Sequence, residues 1–280
     1  MTVLVTGARG AIARAVTDRL HAAGHPVRAA SARPVELTPP PGVEGVELVL
    51  DRPETFPAAL AGARQVFLYP EPAGIAAFVE AAEAVGVEHV VLLSSASVLE
   101  PGAEDDPPAS HSLRVERALA DAPFTVTLLR PDAFAGNALG WAHFIARGVP
   151  VPLAYPDACI APVHPADIAD IAVRALTGDR LAGRALTLTG AQSLTFREQL
   201  AIIADTIGRP VAVAEITREE AEEQLARHMP PAMAGSLLDL WARATVTPVP
   251  IADTTASLLA AEPRTFAEWV RENPAAFTAR

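Results

Sequence analysis

Six short apolar runs, at residues 3–5, 27–30, 46–50, 66–69, 90–93 and 126–129, punctuate the first 130 residues, with helical patterns between them at 12–23, 55–60, 73–85 and 112–120. No other feature restricts the fold so tightly. The runs are continuous valine and leucine rather than alternating, the pattern of strands covered by helices on both faces. Strand, helix, strand repeated in this way predicts βαβ units and a doubly wound parallel α/β sheet. The turns agree. Gly24 in "AAGHPV" and Gly86 in "AVGVEHVVLLSS" stand where a helix ends and the next strand begins. The proline-rich, acidic "PGAEDDPPAS" at 101–110 reads as an exposed loop.

After about residue 131 the pattern changes to longer helices and brief strands. "HPADIADIAVRAL" carries proline in its first turn, "RALTLTG" reads as a strand, and Thr195 with Glu198 forms a capping box ahead of a helix. Residues 219–227, 232–244 and 264–273 are helical, the last capped by Thr265. The expected plan is a main domain over 1–150. A smaller, mostly helical C-terminal lobe follows over 151–280, with some segments returning to the main sheet.

Composition narrows the function classes. No apolar run approaches the roughly 20 residues that cross a bilayer, so no membrane is expected. A net charge of −11 argues against nucleic acid, where phosphate neutralisation supplies most of the affinity. No secretory signal is visible, and Cys159 is the single cysteine, which fits a cytoplasmic location. The histidines and one cysteine show no metal-ligand spacing, so no metal is expected. There is no Gly-x-Ser-x-Gly elbow for a hydrolase. All 22 basic side chains are arginine, which removes every mechanism needing a lysine amine.

The stretch "VTGARGAIARAV" stands at the first strand-to-helix junction. Gly7 allows a tight turn, Gly10 lets the backbone approach a pyrophosphate, and Ala13 keeps the helix close to the strand. The unpaired N–H groups of the helix start, at Ala11 and Ile12, favour an anion. The alternative is a plain structural turn. Placed inside a full βα series, the motif predicts a dinucleotide site with Thr6, Gly7, Arg9, Gly10, Ala11 and Ile12 around it. The second strand ends "AASARP", with Ser31 and Arg33 and no acid before Glu36. Guanidinium suits a 2′-phosphate, and Arg9 adds a second cation, so NADP(H) is expected over NAD(H). The alternative is that Arg33 is a solvated loop arginine.

"TGARGAIA", with its Gly-x-x-Gly-x-x-Ala spacing, resembles the extended and atypical short-chain dehydrogenase/reductases, and within them the NmrA-like group. The resemblance continues through "GHPVRAASARP", "ALAGARQVFLYP", "FVEAAEAVGVEHVVLLSSASV", "LLRPDAFAGN" and "VHPADIADIAVRAL", in that order. It implies a Rossmann-type fold with Asp51 near the adenine, and Leu68, Tyr69 and Pro70 along the ribose and pyrophosphate path. Asp51 as a turn residue and Tyr69 as simple packing remain open.

The same resemblance implies a Ser, Tyr and Lys set, with tyrosine as proton donor. Ser94 and Ser95 end the fifth strand and keep the serine step open. Where the Tyr-x-x-x-Lys pair is expected, "SHSLRVERAL" carries His111 and Val115. An imidazole can donate a proton near neutral pH without a lysine; His111 as a surface residue is the alternative. On the substrate side, Phe134 and Asn137 follow the sixth strand, with Trp141 beyond them; core packing is the alternative for Phe134 and Trp141, a turn role for Asn137. His164 and Asp167 read as local packing, capping or anchoring residues. The expected function is NADPH-dependent reduction of a small quinone-like or conjugated carbonyl substrate without the Tyr-Lys pair. Its alternatives are a non-catalytic, redox-sensing NADP-binding regulator, or a tailoring step on a specialised intermediate. Oligomeric state is open.

Overall fold

The computed structural model describes residues 2–278. In chain order the strands are β1 (Thr2–Val5), β2 (Val27–Ser31), β3 (Glu44–Glu47), β4 (Ala63–Leu68), β5 (His89–Leu93), β6 (Thr125–Pro131), β7 (Val151–Leu153), β8 (Cys159–Ile160), β9 (Ala185–Leu188), β10 (Leu194–Thr195) and β11 (Val213–Glu215). The helices are α1 (Ala11–Ala22), α2 (Phe56–Leu60), α3 (Ile75–Ala84), α4 (Pro107–Ala120), α5 (Ala142–Ala146), α6 (Pro165–Thr177), α7 (Phe196–Ile207), α8 (Arg218–Leu225), α9 (Pro231–Ala244), α10 (Thr254–Leu259) and α11 (Phe266–Glu272).

Two compact units emerge. The first takes residues up to 105, 109–131 and 165–188; the second takes 106–108, 132–164 and 189 onward. The boundary thus falls at 131 rather than 150, and 165–188 lies in the first unit. The cause is α6 and β9: α6 packs beside α1, with Arg19 Nε 2.5 Å from Asp170 Oδ1, and β9 extends the sheet next to β6.

In the first unit seven strands run in the order β3-β2-β1-β4-β5-β6-β9, each pair parallel. This is the doubly wound Rossmann-type sheet that the alternation predicts. Strand order reverses between β1 and β4, the switch point beyond whose carboxyl ends such sheets bind ligands. One face is sealed by Leu4, Phe56, Leu60, Val66, Phe78, Leu92 and Leu119, all essentially inaccessible. Each such side chain contributes about 1.5–3 kcal/mol by burial. Phe56 and Phe78 meet edge to face, 5.8 Å between centroids.

Two boundaries differ from the sequence reading, each for a physical reason. β3 lies at Glu44–Glu47, earlier than the apolar run at 46–50. It is an edge strand with exposed charges, which blunt further pairing; Glu44 meets Arg28 of β2 at 3.0 Å. The apolar residues Leu48 and Leu50 leave the sheet and bury in a loop. α4 starts at Pro107, inside the expected loop, because a first-turn proline gives up no helical hydrogen bond. His111 therefore sits one turn inside the helix.

The second unit has its own core around Ile145, Leu153, Phe196, Ile203, Trp269, Val270 and Phe277. Small sheets pair β10 with β8 and β11 with β7. Capping boxes at Thr195/Glu198 and Thr265/Glu268 start α7 and α11; the sequence predicts the first box and, for the second, Thr265 as the cap. A third, Thr217/Glu220, starts α8.

His89 tests the first core by pH. It is buried in β5, and its Nε2 lies 2.8 Å from Thr127 Oγ1, whose hydroxyl donates to the Leu181 carbonyl. Nε2 is thus the donor in this pair. Burial pushes the His89 pKa below its ordinary 6.5, although Asp179 pulls it back upward. Below that value the unfolded chain binds a proton that the folded chain refuses, so stability falls as pH drops. Chemical denaturation at about pH 7.5 and about pH 5.5 should show wild type losing more stability than His89→Asn. Parallel losses would remove His89 from the account.

Candidate functional site

At the β1–α1 junction Thr6 donates its backbone N–H to Phe67 O, and its hydroxyl accepts the N–H of Tyr69 at 2.7 Å. This stitches the carboxyl ends of β1 and β4 together. Gly7 then turns at φ +64°, where an added Cβ would stand 3.0 Å from Tyr69 Cβ. Gly10 donates to Gly7 O at 2.8 Å and precedes α1. Its own Cβ would lie 3.3 Å from that oxygen. Gly10 offers no side-chain cap and the first turn of α1 holds no acid. The N–H groups at Ala11 and Ile12, and the positive end of a twelve-residue helix, are therefore left for an anion.

Above this turn lies a cleft of about 710 Å³, lined among others by Thr6, Gly7, Arg9, Gly10, Asp51 and Tyr69, a size suited to a cofactor. Ser31 and Ala32 form its β2 side, and Leu48 to Leu50 its β3 side. Tyr69 is 51% exposed although it stands at a strand end, so packing alone does not account for it. Ser31 Oγ accepts the N–H of Arg33 and shapes the turn after β2. A diphosphate on the helix start, with its adenosine arm toward Ser31, fits these residues.

Several candidate residues have duties inside the protein. Leu68 is fully buried in the first core, so its side chain cannot line the ribose path, a correction to the expectation. Ser94 is buried, and its hydroxyl donates to Glu116 Oε1 at 2.5 Å rather than standing ready for a substrate oxygen. Glu116 in turn receives Arg130 Nε at 2.9 Å and Nη2 at 2.6 Å. The hydrogen bond to Glu116 holds the Arg130 pKa above its usual value, against the opposing effect of burial. Ser95 accepts the N–H of Ser97 and caps the short turn Ala96–Leu99.

His111 is half-buried and not a surface residue. Its Nε2 lies 2.9 Å from the Pro70 carbonyl, which can only accept, so Nε2 carries a proton and Nδ1 is left for exchange. Pro70 follows cleft-lining Tyr69, which ties His111 to the rim of the site. Asp51 is exposed at the cleft.

Phe134, Asn137 and Trp141 belong to the second unit. Phe134 bridges Val163, Asn137 is exposed in a 3₁₀ turn, and Trp141 meets Phe196 edge to face at 5.5 Å. His164 is buried with Nε2 3.3 Å from Glu272. Asp167 is buried in the first turn of α6.

Sequence reasoning missed Glu116, Gly74 and Glu71, the last of which lines the cleft. Gly74 precedes α3 at φ +70°, and a Cβ there would fall 1.7 Å from Leu50 O. Its signal is a glycine in the first turn of the helical pattern at 73–85. Among the described residues no cluster of potential metal ligands occurs, and no helix is long and apolar enough to cross a membrane.

A family model described as NAD(P)H-binding matches residues 7–179. The (4-alkanoyl-5-oxo-2,5-dihydrofuran-3-yl)methyl phosphate reductase of Streptomyces griseus subsp. griseus is 37% identical, over 98% of this chain and 99% of that protein. The NAD(P)H azoreductase of Xenophilus azovorans is 30% identical over 99% of each. Among solved structures, an Escherichia coli NADPH-dependent quinone oxidoreductase complexed with NADPH superposes with a TM-score of 0.81 at 21% identity, covering 97% of this chain and 99% of that one. The Citrobacter sp. triphenylmethane reductase complexed with NADP(H) gives 0.80 at 20%, with the same coverage. These two likenesses concern the fold.

Proposed function

The chain belongs to the NAD(P)H-binding family, and on that premise we propose that it is an NADPH-dependent reductase of a small conjugated acceptor, of the NmrA-like, atypical short-chain dehydrogenase/reductase type. The observation that carries the reading is the uncapped start of α1 beneath a cleft at the β1/β4 switch point. The bound dinucleotide supplies a hydride. The chain's part is to hold the diphosphate on backbone N–H groups at Ala11 and Ile12, with Gly7 and Gly10 keeping the approach open. Arg9 and Arg33 select the 2′-phosphate, and Ser31 shapes the turn after β2 that leads to Arg33.

A conjugated carbonyl is already electrophilic, so it needs no tyrosine–lysine pair to polarise it. This matches a chain without lysine. The Streptomyces relative is named for a phosphorylated oxo-dihydrofuran, a ring carbonyl conjugated with a double bond, and the azoreductase for another conjugated acceptor. We place a conjugated lactone or ketone first and a quinone second. The remaining proton comes from water, or from His111 as an imidazolium that keeps Nε2–H on the Pro70 carbonyl and gives up the Nδ1 proton. His111→Asn should lower turnover at least about tenfold at unchanged NADPH affinity if His111 donates; unchanged turnover assigns the proton to water.

The test is loss of reduced-nicotinamide absorbance with conjugated lactones, conjugated ketones, quinones and azo dyes as acceptors. Turnover with at least one supports the reading. Tight NADPH binding without turnover on any favours the redox-sensing regulator. The serine hydroxyls bound to Glu116 and Ser97 are the observation on that side.

A further inference from the structure

Both arginines assigned to the 2′-phosphate are engaged by one carboxylate. Arg9 Nη1 lies 2.9 Å from Glu36 Oε2, and Arg33 Nη1 lies 2.7 Å from Glu36 Oε1. We propose that Glu36 is an internal counter-anion that competes with the cofactor's 2′-phosphate for Arg9 and Arg33, and so sets the selectivity between NADPH and NADH. The proposal rests on the dinucleotide site of the preceding section and adds its selectivity-determining residue.

The local sequence builds the device. Pro34 starts a 3₁₀ turn, Pro34–Glu36, in which Glu36 N–H returns to Arg33 O at 3.1 Å. That turn brings the carboxylate back over its own i−3 arginine and toward the glycine loop that carries Arg9. Each oxygen takes one guanidinium, as two oxygens of a phosphate would. Arg9 lines both the 710 Å³ cleft and a neighbouring pocket of about 190 Å³ that also holds Glu36 and Arg14. Arg9 is thus positioned between its internal partner and the cleft.

All three side chains are roughly half exposed, at 46% for Arg9, 62% for Arg33 and 42% for Glu36. Exposed pairs are weak, each favouring the paired state by a factor of about one and a half to five. A phosphate of charge about −1.5 to −2 can therefore displace the carboxylate, at the cost of those two pairs and of repulsion from Glu36. NADH has a neutral 2′-hydroxyl and displaces nothing. Glu36 consequently weakens NADPH binding and leaves NADH binding nearly alone.

Calorimetric titration of wild type, Glu36→Gln and Glu36→Ala with NADPH and with NADH decides it. The expected result is an NADPH Kd about three- to thirtyfold lower in both variants, with the NADH Kd within about twofold of wild type. The NADPH gain should shrink as salt rises. Unchanged or weaker NADPH binding overturns the proposal. So does equal tightening for both cofactors, or a selective loss of NADH, which would make Glu36 the partner of the ribose hydroxyl. A wild type that binds neither dinucleotide defeats the earlier reading of the site instead.

Discussion

Gly74→Ala is expected to destabilise the protein by about 2–5 kcal/mol and to weaken NADPH binding at least about tenfold. The added Cβ would fall 1.7 Å from Leu50 O and 2.8 Å from Leu50 C. These are backbone atoms of the loop that forms the β3 side of the cleft, so no side-chain rotation relieves the clash. Either α3 withdraws from the sheet or residues 48–51 shift. The left-handed φ of +70° adds strain of about 1 kcal/mol. Gly62 separates the two causes, because it shares φ +70° but an added Cβ there meets nothing within 4 Å. Gly62→Ala should cost about 1 kcal/mol and leave cofactor binding intact. Equal losses for the two variants in chemical denaturation would mean that contact with Leu50 is irrelevant.

The second large effect lies beneath the site. Arg130→Met should cost about 3–5 kcal/mol, because it leaves Glu116, 8% exposed, as a buried carboxylate with only the Ser94 hydroxyl for company. The geometry is bidentate, and Glu116 joins α4 to the carboxyl ends of β5 and β6. Replacing both charges removes the penalty without restoring the network, so Arg130→Met/Glu116→Gln should recover at least half of the loss. Denaturation midpoints of the two single variants and the double variant check it. Additive losses would show that the pair is not a coupled unit.

The course of the main sheet is legible in the sequence because strands covered on both faces must be apolar throughout. Residues 90–93 announce themselves for that reason. The edge strand β3 does not, since Glu44 and Glu47 face solvent and the apolar signal belongs to the loop after it. β7, β8, β10 and β11 have two or three residues each, too few to show a period. Gly7 and Gly10 are legible because a backbone turn of that kind leaves few residue choices. The partners of side chains are not. Nothing in "ERALADAPFTVTLLRP" says that Glu116 faces Arg130 and takes the Ser94 hydroxyl, and nothing in "SARPVE" says that Glu36 reaches Arg9 across 27 residues. Such pairings are set by the register of neighbouring strands and by loop closure, which appear only once the chain is folded. The residue that would replace the missing tyrosine is half legible. The spacing points to His111, while the Pro70 carbonyl that orients its ring comes from the segment just after β4 and is distant in sequence.

The most direct measurement is the binding isotherm of NADPH on the purified chain at near-physiological salt, alongside Gly7→Val. The glycine turn and the uncapped start of α1 predict one molecule bound per chain in the micromolar range. Gly7→Val should abolish that binding, since it collides with Tyr69 in a left-handed backbone. No binding of NADPH to a folded wild type, or binding that Gly7→Val leaves untouched, would contradict the assignment of the cleft.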